Sequence, residues 1–88
     1  MIETTNIEGQ ILAFLQREVF SSQTDLTEDS DLIAGGFDSM SLMRLLLFIE
    51  KTYGFWMPVA EVTATNLKNV RSLAAVVARL IHERQAPL

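Results

Sequence analysis

The sequence predicts an all-α fold, a small four-helix bundle with three longer helices, one short third helix, and a long ordered loop between the first two. Three observations carry that prediction. In three stretches apolar residues recur at spacings of three and four, the period of one helix face. Residues suited to helix starts precede these stretches, and Gly54 follows the second of them. Of the 88 residues, 49% are hydrophobic, enough to close one small core. Residues 1–88 are therefore expected to form a single domain.

Thr5-Asn6-Ile7-Glu8 reads as a capping box, and Ile7, Ile11, Leu12, Leu15 and Val19 follow at helical spacing. The first helix is predicted over about 5–20. Gly9 inside it costs about 1 kcal/mol relative to alanine, in the first turns, where the pattern can absorb it.

Residues 21–38 form a long connection bearing Asp25, Glu28, Asp29, Asp31 and Asp38 and no basic residue. Loops of this length in a small domain usually serve a purpose. Leu26, Leu32, Ile33 and Phe37 are expected to pin it to the core. Its acids form either a solvated face or a docking surface. They lack the ordered spacing, central glycine and terminal glutamate of a calcium loop, so no metal is assigned.

The second helix is predicted over about 39–53, with Asp38 as its N-cap and Gly54 as its C′ residue. Leu42, Leu45, Leu46, Ile49 and Tyr53 make a core-facing stripe. Met40, Met43 and Leu47 lie on another side, with Arg44 and Lys51 beside them. A domain this small cannot easily bury both stripes. Core filling explains most single methionines, but two on one stripe beside Ser39 suit an adaptable partner-facing patch, with Arg44 and Lys51 at its rim.

Phe55-Trp56-Met57-Pro58 should be extended, because a proline disfavours helix in the residue before it. Alternation then turns Phe55 and Met57 inward and Trp56 outward, either along a neighbouring helix edge or toward a partner. Thr63 or Thr65 can cap the short third helix, around 64–68. Asn69 caps the last helix, where Val70, Leu73, Val76, Val77, Leu80 and Ile81 mark a helix to about residue 83. His82 and Arg84 suit its negative end, and His82 is given no other function. Residues 85–88 are expected to fray.

Composition narrows the function. A formal charge of −4 argues against nucleic acid, which needs a concentrated basic face. The chain has no cysteine and one histidine, so thiolate chemistry, a catalytic triad and a multi-histidine metal site are all set aside, and no enzyme is expected. No apolar run is long enough to span a membrane, and Met1-Ile2-Glu3-Thr4-Thr5 lacks the pattern of a secretory signal. A cytoplasmic monomer is expected.

The chemistry centres on Gly35-Gly36-Phe37-Asp38-Ser39-Met40, where a glycine-broken loop becomes the second helix. Ser39 reads as a site of covalent attachment rather than a nucleophile. A phosphate ester at a helix start would meet unpaired N–H groups and the positive end of the helix dipole. Gly35 and Gly36 add the backbone freedom that close approach of another protein needs. Taken alone, however, an Asp-Ser pair is far more often an ordinary cap, because these residues are favoured at helix starts everywhere. The alternative is then an unmodified helical adaptor that binds a partner helix through Met40, Met43 and Leu47.

The order of these features resembles the acyl and peptidyl carrier proteins, and the resemblance covers nearly the whole chain. It rests on the long helix, the acidic loop, Gly-Phe-Asp-Ser-Met at a helix start, Tyr53-Gly54-Phe55-Trp56-Met57-Pro58, a short third helix, and Asn69-Val70-Arg71-Ser72-Leu73 opening the last. The resemblance implies a carrier-type four-helix bundle in which Ser39 receives 4′-phosphopantetheine from coenzyme A through a separate phosphopantetheinyl transferase. It also implies that the terminal thiol of the arm holds an acyl or aminoacyl group as a thioester. Asp38 matches the family's aspartate before the serine, Met40 its usual leucine after it, and Met43 and Leu47 its partner-facing positions. The implied partners are the transferase, an acyl- or aminoacyl-activating ligase, and downstream synthase or transferase enzymes.

Two departures bear on subtype. Fatty-acid carriers have a strongly acidic second helix, whereas here Glu50 is its one acid and Arg44 stands at a usually acidic position. Peptidyl carriers of large assembly lines show Gly-Gly-His-Ser, and this chain shares the glycines without the histidine. The pattern looks more like stand-alone carriers served by a dedicated ligase, including the D-alanyl and aminoacyl types.

Overall fold

Three amphipathic stretches become three α-helices in the computed structural model, which describes residues 3–20 and 25–85: α1 (Thr4–Glu18), α2 (Ser39–Tyr53) and α3 (Val70–Gln85). Ile7, Ile11, Phe14 and Leu15 of α1 are buried, and α1 and α3 form the principal helix–helix contact. The expected capping box at Thr5 is not formed. The helix begins one residue earlier, with Glu3 in the N-cap position and no side-chain cap. The Glu3 carbonyl accepts from the N–H groups of Asn6 (3.0 Å) and Ile7 (3.2 Å), two bonds that a start at Thr5 would forgo. At the other end α1 stops at Glu18 rather than 20, because the N–H groups of Val19 and Phe20 both converge on the Leu15 carbonyl at 3.0 and 2.7 Å.

α2 has the predicted bounds. Gly54 follows it at φ 82°, its N–H donating to the Glu50 carbonyl, a left-handed closure that glycine adopts without a Cβ penalty. Leu45 and Ile49 are buried, and Leu42, Leu46 and Tyr53 pack half-buried against the core. Phe48, which lies on neither sequence stripe, stacks on Phe14 with ring centroids 4.4 Å apart and meets Tyr53 edge-on. It joins α2 to α1. Burial pushes the Tyr53 phenol up to about 12, and its hydroxyl donates to Gln10 Oε1 at 2.6 Å.

The expected third helix over 64–68 is instead a run of turns, and a 3-10 turn at Val59–Glu61 precedes it. Thr63 does cap, accepting from the Asn66 N–H at 3.1 Å, and the Leu67 N–H reaches the Thr63 carbonyl at 2.9 Å. The ladder goes no further: the next N–H, that of Lys68, reaches only the Thr65 carbonyl at 3.5 Å, and the Lys68 carbonyl accepts from Leu32 in the loop at 2.8 Å. Leu67 is buried all the same. Ahead of these turns Phe55 and Met57 point inward and Trp56 is 55% exposed, as alternation requires.

Asn69 caps α3 as expected, its side-chain oxygen accepting from the Ser72 N–H at 2.7 Å. Val70, Leu73, Val76, Val77, Leu80 and Ile81 are all buried. The helix extends to Gln85, two residues past the predicted end, and Arg84 lies 5.4 Å over the Phe55 ring. The rest of the tail expected to fray, 86–88, lies outside the described residues.

From residue 25 onward the connection between α1 and α2 is held by its own apolar residues and by the far end of the chain, while 21–24 lie outside the described residues. Leu32 is fully buried, and Leu26 and Phe37 pack on the core. Ile33, expected to do the same, is 50% exposed, because the turns over 32–36 send adjacent side chains to opposite sides. The Leu32 N–H donates to the Lys68 carbonyl at 2.8 Å, and the Arg71 N–H to the Glu28 carbonyl at 3.0 Å. The Arg71 guanidinium also grips Asp29 through two bonds, 2.8 and 3.1 Å. Asp29 thus holds the loop to α3. Among the described residues, no helix is long and apolar enough to cross a membrane.

Candidate functional site

Asp38 leaves the loop in an extended conformation, and its carboxylate turns back onto α2, accepting from the N–H and the hydroxyl of Ser41, both at 2.9 Å. Its main-chain carbonyl accepts from the Leu42 N–H at 2.9 Å. Asp38 is therefore the N-cap that the sequence predicts. The Ser41 N–H, followed by the Ser41 hydroxyl, holds its carboxyl below the ordinary value of 3.8.

Ser39 is the first residue of α2 and is exposed. Asp38 has already taken the Ser41 N–H, so fewer free donors face Ser39 than the sequence suggested. The positive end of the α2 dipole remains. Asp38 is also a poor base for the Ser39 hydroxyl, because its Oδ1 holds both Ser41 bonds and its pKa is lowered. The geometry offers a hydroxyl to a reaction that another protein must catalyse.

The two glycines ahead of it shape the turn. Gly36 has φ 103°, a left-handed conformation that a side chain makes costly. Gly35 is needed for space, since a Cβ there would lie 3.3 Å from both the Asp31 carbonyl oxygen and the Phe20 ring. The fold itself therefore needs glycine here. The Phe37 N–H then donates to the Leu32 carbonyl at 3.0 Å and closes the turn into Asp38.

Met40, Met43 and Leu47 are 68%, 54% and 41% exposed, so the second stripe of α2 faces outward. Lys51, in the last turn of α2, is exposed as well. Arg44 is exposed but does more than rim the patch: its Nη1 donates to the Glu18 main-chain carbonyl at 3.0 Å. That bond satisfies an acceptor at the end of α1.

Two hollows flank this face. One, of about 340 Å³, places Ile33, Phe37, Leu42 and Leu67 beside Asp38 and Ser39. Ile33, Phe37 and Leu67 were not legible as site residues, since they come from a loop and a turn with no shared period. The other, of about 360 Å³, lies between α1 and α2, where Phe14, Leu47 and Phe48 meet Arg17, Arg44 and Lys51. Arg17 and Phe14 are on α1, which sequence periodicity assigns to the core alone.

Comparison with known proteins bears on the same region. Residues 10–77, which include the Asp38-Ser39 pair, match the family described as phosphopantetheine attachment site. The chain is 32% identical over 75 residues to aminoacyl carrier protein 1 of Bradyrhizobium diazoefficiens, a match covering 83% of each chain. Its fold is similar, with a TM-score of 0.64 at 25% identity, to a chain in the crystal structure of Bradyrhizobium japonicum glycine:carrier protein ligase complexed with glycylated carrier protein. That match covers 83% of this chain and 96% of the other.

Proposed function

Since the chain belongs to the phosphopantetheine attachment family of carrier proteins, we propose that it carries an aminoacyl or acyl group and that Ser39 is the point of attachment. The family match across 10–77 carries this reading, because it includes an exposed serine at the start of α2, directly after the Asp38 cap. The group fits there: the hydroxyl is accessible, the α2 dipole favours a phosphodiester, and Asp38 holds the helix start without using the Ser39 side chain. When bound, 4′-phosphopantetheine supplies the terminal thiol that holds the cargo as a thioester.

The chain's own residues present, position and dock. On loading, the Ser39 oxygen bonds to the phosphorus of coenzyme A's phosphopantetheinyl group and loses its proton, and the nucleotide part of coenzyme A leaves. A separate transferase must remove that proton, for which Asp38 is unsuited. Met40, Met43 and Leu47 would form the contact surface for this transferase, for an activating ligase and for downstream enzymes. Their small exposed area suits brief encounters, and tethering of the cargo raises its concentration at each partner. The aminoacyl cargo is favoured by the carrier and ligase named in the comparisons and by an α2 that carries one acid, Glu50.

The test is the intact mass of the chain after incubation with coenzyme A and a broad-specificity phosphopantetheinyl transferase. One phosphopantetheine is gained, and the Ser39→Ala chain gains none. A wild-type chain that stays unmodified by a transferase active on another carrier would overturn the reading.

A further inference from the structure

We infer that the groove between α1 and α2 is a docking site for an acidic segment of a partner protein, one that sets aspartate or glutamate around an apolar anchor. The inference rests on the docking part of the reading above, since Arg44, Leu47 and Lys51 belong to both, and not on the attachment at Ser39.

The argument is one of charge placed against the trend of the chain. The net charge is −4, with seven lysines and arginines in all. Three of the seven, Arg17, Arg44 and Lys51, line this one hollow, against a single acid, Glu18. Of the other four, Arg71 pairs with Asp29 and Glu8, Arg79 pairs with Glu61 and Glu83, Arg84 lies over the Phe55 ring, and Lys68 stands alone in a hollow without an aromatic base. Lys51 has no ion pair among the described residues. Glu18 pairs with Arg17 in an exposed contact and offsets one of the three charges, so the excess that remains over the groove is that of Arg44 and Lys51. Arg44 spends one of its five donors on the Glu18 carbonyl, which fixes the guanidinium over the groove and leaves the others for a ligand.

Below these charges the lining is apolar and ordered. Phe14 is buried and stacked on the half-buried Phe48, and Leu47 is exposed at the edge. A rigid aromatic base with cations around it selects an apolar side chain flanked by carboxylates and rejects a basic segment. The groove shares Leu47 with the Met40/Met43 surface, so a partner engaged near Ser39 can extend an acidic segment into it without a second interface.

A displayed library of random 16-residue peptides, selected against the full chain, tests this. The comparison chain carries Arg17→Glu and Lys51→Glu, with Arg44 retained because it closes α1, and circular dichroism checks its fold. The expected peptides are rich in aspartate and glutamate around a leucine or aromatic residue. They shift the amide resonances of Phe14, Leu47 and Phe48, bind the double variant roughly tenfold more weakly, and are released at about 1 M salt, where the screening length shortens to about 3 Å. They bind a Ser39→Ala chain equally well, so a failure of the attachment reading leaves this result intact. Neutral or basic peptides, equal binding to the double variant, or no recovered peptide would each overturn the inference. So would a salt-sensitive dimer of the chain alone, seen by sedimentation, which would assign the groove to a second copy.

Discussion

The Arg44 guanidinium donates to the main-chain carbonyl of Glu18 at 3.0 Å, so a residue in the middle of α2 closes the C-terminal end of α1. The two residues are 26 positions apart and join these helices beside the Phe14–Phe48 stack, as the Tyr53–Gln10 bond does nearer the other end of α2. Arg44→Ala is expected to cost less than about 1 kcal/mol, the ordinary net worth of an exposed hydrogen bond. Its signature is local: hydrogen exchange quickens at Val19 and Phe20 while the α3 amides are unchanged. Uniform acceleration across all three helices would show that the bond supports the whole fold instead.

Capping and attachment are separable. Ser39→Ala should keep the thermal transition of the parent chain and remove the site of modification, because Asp38 and Ser41 make the cap between them. Asp38→Ala should lower the melting temperature and leave the Ser39 hydroxyl present. Scanning calorimetry of the two variants distinguishes them; a Ser39→Ala chain that melts as early as Asp38→Ala would mean that Ser39 holds the helix start.

The two stripes of α2 predict opposite outcomes. Leu45→Ala, at a fully buried position, is expected to cost about 2–5 kcal/mol in a denaturant titration. Met43→Glu should stay folded and change stability by less than about 0.5 kcal/mol, as surface substitutions do. It should instead raise the KM of the phosphopantetheinyl transferase for the chain with little change in kcat. If the KM holds and the chain unfolds, Met43 belongs to the core.

At Gly36 the backbone sets the cost. Alanine placed at φ 103° should destabilise the chain by about 1–2 kcal/mol, although nothing lies within 4 Å of the added Cβ. A neutral Gly36→Ala would show that the turn ahead of Asp38 relaxes without penalty.

Acid should loosen both ends of the connection before Ser39. Asp29 is held below its ordinary 3.8 by Arg71, and Asp38 by the Ser41 N–H. Carboxyls lowered in the folded state stabilise it above the unfolded value, and that contribution is lost as pH falls through the folded value. The melting temperature is therefore expected to be flat above about pH 5 and to fall below about pH 4. The double variant Asp29→Asn and Asp38→Asn should melt lower at neutral pH and lose less on acidification. Parallel curves for parent and variant would remove these two groups as the cause.

Helices were legible wherever period and punctuation agreed. Asp38 and Gly54 bracket α2 at its predicted bounds, and the six apolar positions named for α3 are all buried. The misreadings have two causes, main-chain bonds close in sequence that side-chain pattern does not show and partners distant in sequence. Thr5 looked like a cap, but main-chain bonds to Glu3 start α1 earlier. Thr63 is a cap with no helix behind it, and the Lys68 carbonyl at the end of that turn is taken by Leu32, 36 residues earlier. Arg44 read as a rim charge because its acceptor, a carbonyl 26 residues away, leaves no trace in side-chain pattern. The exposure of Ser39, Met40, Met43 and Leu47 on α2 was legible because all belong to one helix. The hollow formed with Ile33, Phe37 and Leu67 was not, since three segments must fold together before it exists.

The bonds from Leu32 to Lys68 and from Arg71 to Glu28 have a consequence for synthesis of the chain. The turn that presents Ser39 is fastened to residues made about forty positions later, so a nascent chain can display the serine long before it can shape it. Modification should wait for translation to pass α3. Ribosome-stalled chains exposing residues through 60 are expected to be poor transferase substrates beside those exposing residues through 85, and equal rates would mean that α2 alone suffices for recognition.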